Sequence, residues 1–394
     1  MEALFLLIAL AVLFGVVVVP AMRRRRLARE AAGGHLTAVS PEAAYGFVPV
    51  DELDVRLPGP DPQLVDALDE ARVRQDWEKL AQLLALTGDE WELRWQRVQS
   101  AAGAAAKELA QARQATPSPD AAAGAGGDTV SFTKDPASAA LPDARWLREW
   151  RAESPQDPSA VQVYAQFLVW QGLAEAPGTD AHRIILEEAR TVCREAAALA
   201  DADPTPYLSE LLVARALGDR PADFEALWSE VVRRAPHHMG AHLAALTYWS
   251  ENGCGSKKQA DAFAQSAAAH APQGSLLPAL PLFALHEHLP EVNLVRGLYQ
   301  SADVERAIEA AEFAVDQVED DHPVRPHVLH LLFGMLVRAE RYEEALQAVV
   351  VVDGYVGALP WALTADPAAS YAAYRALAVA GWESSGGHSR SPLR

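Results

Sequence analysis

The chain has 394 residues, of which 50% are hydrophobic and 22% charged, with a formal net charge of −19. This composition is that of a globular protein with material for two or three domains, and it excludes a wholly disordered chain. The charge is uneven: Arg23, Arg24, Arg25, Arg26 and Arg29 face only Glu2 and Glu30 within the first 30 residues, so the remainder carries −22. An acidic body repels phosphate backbones, which argues against nucleic acid as a partner.

The predicted elements begin with a membrane span. From Ala3 to Met22 there is no charged residue, and at about 1.5 Å per residue this stretch crosses the roughly 30 Å hydrocarbon layer. The five arginines follow it directly, so the positive-inside bias places the N-terminus outside and the body in the cytoplasm. The expected location is the cell membrane, single-pass, with the arginine cluster as a topology signal or a contact for acidic headgroups. A cleaved signal peptide needs its basic residues before the apolar run. That alternative would make the protein an extracytoplasmic envelope factor.

Residues 23–60 read as a basic juxtamembrane segment and linker, because Gly33, Gly34, Pro41, Pro49 and Pro58-Gly59-Pro60 break any periodicity. Helical hairpins are expected over 61–115, a disordered loop over 116–142, a helical-repeat domain over 143–300, a C-terminal repeat over 301–383 and a disordered tail over 384–394. Asp-Pro recurs at Asp61, Asp157, Asp203 and Asp366, each an N-cap carboxylate followed by a proline that starts a helix without losing a needed N–H. Leu64, Val65, Leu68 and Ala71, then Trp77, Leu80, Leu83 and Leu84, give one helical face interrupted at Gln75-Asp76. Trp91 with Trp95, and Trp146 with Trp150, stand one turn apart as core anchors. Val349 to Val352 is the one strand-like run, and it ends a helical segment.

Helix pairs of this kind predict an all-α chain: a tetratricopeptide-like helical-hairpin array, or α-solenoid, behind the transmembrane helix. The clearest pair is Pro326 to Asp353, with Arg338-Ala-Glu-Arg-Tyr342 opening its second helix and Tyr342 and Ala345 packing on the first. Looser pairs are Tyr207 to Leu217 with Phe224 to Pro236, and Ala241 to Trp249 with Lys257 to Pro272. Asp76-Trp-Glu-Lys-Leu80, Trp91-Glu-Leu-Arg94, Pro155-Gln-Asp-Pro158, Ala235-Pro-His-His238 and Ala271-Pro-Gln-Gly-Ser275 together resemble an uncharacterised bacterial domain family of unknown function. Members of that family carry a Trp-Gly-Gly-Ser turn where this chain has Gly253-Cys254-Gly255-Ser256, so the aromatic is missing. The resemblance covers about residues 61–300 and implies tetratricopeptide-like helices without any activity. Abundant alanine, with arginine far outnumbering Lys79, Lys107, Lys134, Lys257 and Lys258, is the bias of a GC-rich genome such as an actinobacterium's.

The sequence implies no cofactor and no metal. Its two cysteines, Cys193 and Cys254, are far apart and lack ligand spacing. His238 and His242 stand at i, i+4, yet no glutamate follows His238 and no third ligand is at hand. Asp320, Asp321, His322, His327 and His330 read as a solvated helix start. Gly253 to Lys257 lacks the order of a phosphate loop and reads as a turn, with Ser256 capping the next helix.

The expected function is therefore protein–protein interaction at the cytoplasmic face, with His237, His238, Trp249, Lys257 and Lys258 as the partner-binding residues in a groove between stacked helices. The alternative is a hydrolase or thiol-dependent enzyme built on Cys254, Ser256 and His237 or His238.

Overall fold

The computed structural model describes residues 45–115, 143–289 and 297–387, and Phe47–Arg394 form one compact unit. The expected span at 3–22, the arginine cluster at 23–29, the loop at 116–142 and the tail from 388 lie outside the described residues. Among the described residues no helix is long and apolar enough to cross a membrane.

All-α is correct: the described residues hold fifteen α-helices and no strand. They are α1 Pro62–Asp69, α2 Glu78–Thr87, α3 Trp91–Ala115, α4 Arg145–Glu153, α5 Pro158–Ala174, α6 Asp180–Leu199, α7 Thr205–Leu217, α8 Pro221–Arg234, α9 Met239–Trp249, α10 Lys257–Ala269, α11 Leu280–Glu287, α12 Ala302–Asp316, α13 Arg325–Arg338, α14 Tyr342–Val352 and α15 Pro367–Ser384.

Local chemistry sets many of these boundaries. Asp61, Asp157 and Asp366 accept the N–H of Leu64, Ser159 and Ala369 at 3.0, 2.9 and 3.0 Å, so three of the four Asp-Pro pairs are the expected caps. The fourth differs by one residue: Asp203 takes the N–H of Thr205 at 2.7 Å, and the helix follows Pro204. The break at Gln75 is a left-handed residue, φ 57°, reached through one wide turn at Glu70–Arg74. Val349 to Val352 is helical, as expected.

From α5 onward each helix packs on the next, α8 meeting α9 through the rings of Phe224 with Tyr248 and Trp228 with His242, and α5, α7, α9 and α11 also pack in series. The burial pattern divides them into two layers. In α7, Thr205, Pro206, Leu208, Ser209, Glu210, Leu211, Val213 and Ala214 are buried, which leaves no free face, and α5 is enclosed in the same way. The intervening helices bury one stripe only, such as His182, Leu186, Ala189, Cys193 and Ala196 of α6 or Ala260 and Ala264 of α10. Small residues such as Ala189 and Ala196 of α6 and Ala260 and Ala264 of α10 recur in these stripes, whereas α8 buries Phe224 and Val231.

What covers the other side of the inner layer is α3, packed on α5, α7 and α9. Trp95 enters the cluster formed by Leu208, Leu211, Ala241, Ala245 and Tyr248. The fit needs Gly240, since a Cβ there would meet Trp95 Cδ1 at 2.9 Å. From the adjacent position, Arg94 Nε donates to Asp203 Oδ2 at 2.7 Å, Nη1 to Leu84 O at 2.8 Å, and Nη2 to Ser159 Oγ and Gln162 Oε1 at 3.1 and 2.7 Å. Arg97 likewise holds Asp61 at 2.8 Å and Thr87 Oγ1 at 2.8 Å. Further along, Glu108 receives Arg72 at 2.7 Å and Trp146 Nε1 at 3.3 Å.

The C-terminal pair stands at α13 and α14, with ten consecutive buried residues in α13 from Val328 to Val337. Its turn differs from expectation. Arg338 closes the first helix rather than opening the second, and Glu340 takes the left-handed conformation, φ 64°, that reverses the chain. Tyr342 lies against Gly381 of the following helix, where a Cβ would meet its ring at 2.5 Å, whereas Ala345 is fully buried.

The side chains of Arg94 and Asp203 are 7% and 4% exposed, so neither charge has water to fall back on. Replacing Arg94 by leucine should lower stability by roughly 3–5 kcal/mol, because it strands a buried carboxylate. Urea denaturation followed by far-UV circular dichroism measures this, and adding Asp203→Asn, which keeps an acceptor for the Thr205 N–H without the charge, should recover part of the loss.

Candidate partner-binding surface

The five residues singled out from sequence do not form one cluster. His237 and His238 precede the N-terminus of α9, whereas Lys257 and Lys258 begin α10 beyond its C-terminus. An eleven-residue helix separates the two groups by about 16 Å. His237, Lys257 and Lys258 are exposed. Trp249 is half-buried, edge-on to Phe224 at 5.7 Å and to Tyr248 at 5.0 Å.

His238 is buried and acts as a cap: its Nδ1 accepts the Ala241 N–H at 3.2 Å. The proton of a neutral ring then sits on Nε2, which is buried without a hydrogen-bond partner. His242 turns its Nδ1 to the His238 carbonyl at 3.0 Å and stands edge-on to Trp228, centroids 5.0 Å apart. The His238 lone pair is thus committed to the backbone, whereas His242 donates its Nδ1–H to the carbonyl. No group of three or more histidine, cysteine or acidic residues among the described ones could hold a metal ion. Burial lowers the pKa of both rings.

The Gly253-Cys254-Gly255-Ser256 turn terminates α9 and starts α10. Cys254 and Ser256 donate their N–H groups to Tyr248 O and Trp249 O at 2.8 and 2.9 Å, which satisfies carbonyls the ended helix leaves open. Both glycines are required by that approach, since a Cβ at either would come within 2.2 Å of a carbonyl oxygen of α9. Ser256 Oγ then accepts the Gln259 N–H at 3.3 Å as the expected cap. Cys254 is exposed, but partial burial of its sulfur raises the thiol pKa despite Arg215 nearby. A raised pKa leaves little thiolate at neutral pH. His237 and His238 are a helix length away, so the alternative constellation is not assembled.

Sequence reasoning missed Glu92, in the first turn of α3. One of its oxygens accepts the N–H of Met239, and the other lies 3.1 Å from His322 Nε2. His238 Nδ1 is 3.9 Å from the carboxylate. Burial works to raise its pKa, but His322, the charge of His238 and the Met239 N–H together hold it below the ordinary value. The presumed solvated helix start is accordingly corrected. Asp320 is exposed beside Arg325, but His322, His327 and His330 turn inward. His330 is fully buried, with Nε2 donating to Pro58 O at 2.9 Å and Nδ1 accepting from Trp361 Nε1 at 3.2 Å. An open cleft of about 400 Å³ lies elsewhere, between α6 and α7, lined by Arg194, Ala197, Ala198, Asp201, Tyr207 and Glu210.

No protein-family model matches the chain, and neither does any curated protein or solved structure.

Burial lowers the pKa of both His327 and His330 to about 4. Each is a base whose folded-state value lies under its unfolded one. From about pH 6.5 down to 4 the unfolded chain therefore binds protons that the folded chain refuses, and stability falls as the pH falls. Melting temperature measured from pH 7 to 4.5 should drop across this window. A glutamine at 330 can donate to Pro58 O and accept from Trp361 without titrating, so His330→Gln should flatten the dependence while melting near the parent at pH 7.

Proposed function

We propose that the chain is a membrane-anchored helical-repeat scaffold of tetratricopeptide-like type, which presents protein-binding surfaces at the cytoplasmic face of the cell membrane. The observation that carries this reading is the alternation of an inner layer buried on all sides, α5, α7, α9 and α11, with outer helices that bury only one stripe. That construction is how repeat arrays turn short helix pairs into a stable extended surface, and such surfaces serve as platforms for other proteins. The anchor, its orientation and the arginine cluster belong to the proposal through the residues at 3–29.

The covering of the inner layer by α3 restricts where a partner can bind. The region from 236 to 258 contributes His238, Met239, Ala241 and His242 to packed interior rather than to an open groove. What stays available there is the turn at the far end of α9, with Lys257 and Lys258 exposed and in no ion pair among the described residues. Two cations on a strongly acidic body fit a partner with an acidic recognition surface.

Two measurements test the reading. Reporters fused after Ser40 should be active only where the reporter requires the cytoplasm, and an active exported reporter would reverse the topology. Crosslinking in intact cells should recover a partner from the full chain, and Lys257→Glu with Lys258→Glu should reduce recovery at least fivefold without changing the melting temperature. Undiminished recovery would remove this face from the proposal.

A further inference from the structure

The stretch from Phe47 to Gly59 reads as linker from its prolines and glycine, yet it is held along its length by the C-terminal helices. Val48 donates its N–H to Asp353 Oδ2 at 2.6 Å, and Arg375 Nη1 donates to Val48 O at 2.9 Å. Asp54 donates to Gly354 O and accepts from Val356 N–H, both at 2.8 Å, which makes a single parallel bridge to Tyr355. Gly357 N–H reaches Leu57 O at 2.9 Å, and His330 Nε2 reaches Pro58 O at 2.9 Å. These six bonds all engage the strap through its main chain, so they read conformation and not side-chain identity.

Side-chain selectivity lies in four places. Leu53, Leu57 and Pro58 are buried, while Asp51 and Glu52 before them and Val55 and Arg56 between the two leucines are exposed. Phe47 lies with its ring centroid 5.2 Å from the Arg375 guanidinium. The receiving wall is shaped to fit. A Cβ on Gly357 would come within 2.6 Å of the Leu57 backbone, so only glycine admits the strap at that depth. Main-chain hydrogen bonds combined with spaced apolar pockets are a means by which proteins capture peptides, and here they comprise one bridge, the Gly357 bond to Leu57 and three side-chain contacts.

We propose that the groove formed by α13, α15 and the 353–357 turn is a peptide-binding site, occupied in cis by residues 47–59 and fitted to a segment that makes one tight turn at Val50–Glu52 and then presents two leucines four apart followed by proline. The proposal rests on the scaffold reading and gives it a second docking place, filled by the chain itself. A competing peptide of the same pattern must displace the strap, so its apparent affinity is reduced by the fraction of time the groove is closed.

The test uses the full chain in detergent and a fluorescent peptide corresponding to residues 47–59, followed by anisotropy. Leu53→Ser with Leu57→Ser weakens the strap and should raise affinity for the peptide at least tenfold over the parent chain. A peptide N-methylated at Asp54, and one with serine at both leucine positions, should each lose that binding. No saturable binding to a folded strap variant, or equal binding of the serine peptide, overturns the proposal. Should the double variant not fold, hydrogen exchange on the parent chain decides. Exchange at the Asp54 amide ahead of the α13 core supports an openable strap, and exchange only with global unfolding overturns it. Peptide binding is read without any cellular partner, so its failure and the failure of partner recovery at Lys257 and Lys258 are separate results.

Discussion

An inner helix that is apolar on every side must be covered on every side, and the rest of this structure follows from how that demand is met. Outer helices cover one face of α5, α7 and α9, and the long α3 covers the other. The contact is fixed at one turn of α3, where Trp95 fills the space over α7 and α9 and Arg94 closes on Asp203. A buried ion pair adds little net stability over an apolar contact of the same shape, but it tolerates no alternative placement of its partners. Arg94 spends its remaining donors on Leu84 O, Ser159 and Gln162, so α2, α3, α5 and the start of α7 are registered by a single side chain.

The same preference for fixed polar pairs appears at the other end of the fold. Asp353 is held by Arg375 at 2.9 Å and by Tyr371 at 3.2 Å, and it also receives the Val48 N–H. His330 is satisfied at both ring nitrogens, by Pro58 and Trp361. In each case a polar group inside an apolar layer has one of its partners supplied by the segment that precedes α1. The N-terminal residues thus serve as cover twice, as α3 against the middle helices and as the strap against the C-terminal ones.

How far the sequence reveals this depends on the range of the interaction. The caps at Asp61, Asp157, Asp366 and Ser256 and the buried Trp95, Trp146 and Trp150 are decided within a few residues, and local chemistry names them correctly. Glu92 reaching the Met239 N–H spans 147 residues, and Val48 reaching Asp353 spans 305. Nothing in either neighbourhood marks such a pairing. The strap misleads for a specific reason: its prolines and exposed charges carry the composition of a linker, and only Leu53 and Leu57 mark it as packed. The histidines mislead likewise, because Asp320 and Asp321 signal a solvated helix start although the rings that follow them turn into the core.

On the proposed reading as a repeat array, binding capacity would ordinarily come from an inner face left open. Here that face carries α3, fixed by buried ion pairs, and removing it would expose Asp203, Gln162 and the apolar surface around Tyr248 together. The strap is fixed differently, by hydrogen bonds to its main chain, by Leu53, Leu57 and Pro58, and by the Phe47 ring against Arg375, with no ion pair joining its side chains to the groove among the described residues. Covers of such unequal make should open at unequal free-energy cost, since local opening follows the contacts that must be broken. Of the two inner surfaces that the N-terminal residues close, the C-terminal groove is therefore the one whose exposure leaves the remaining helical core intact.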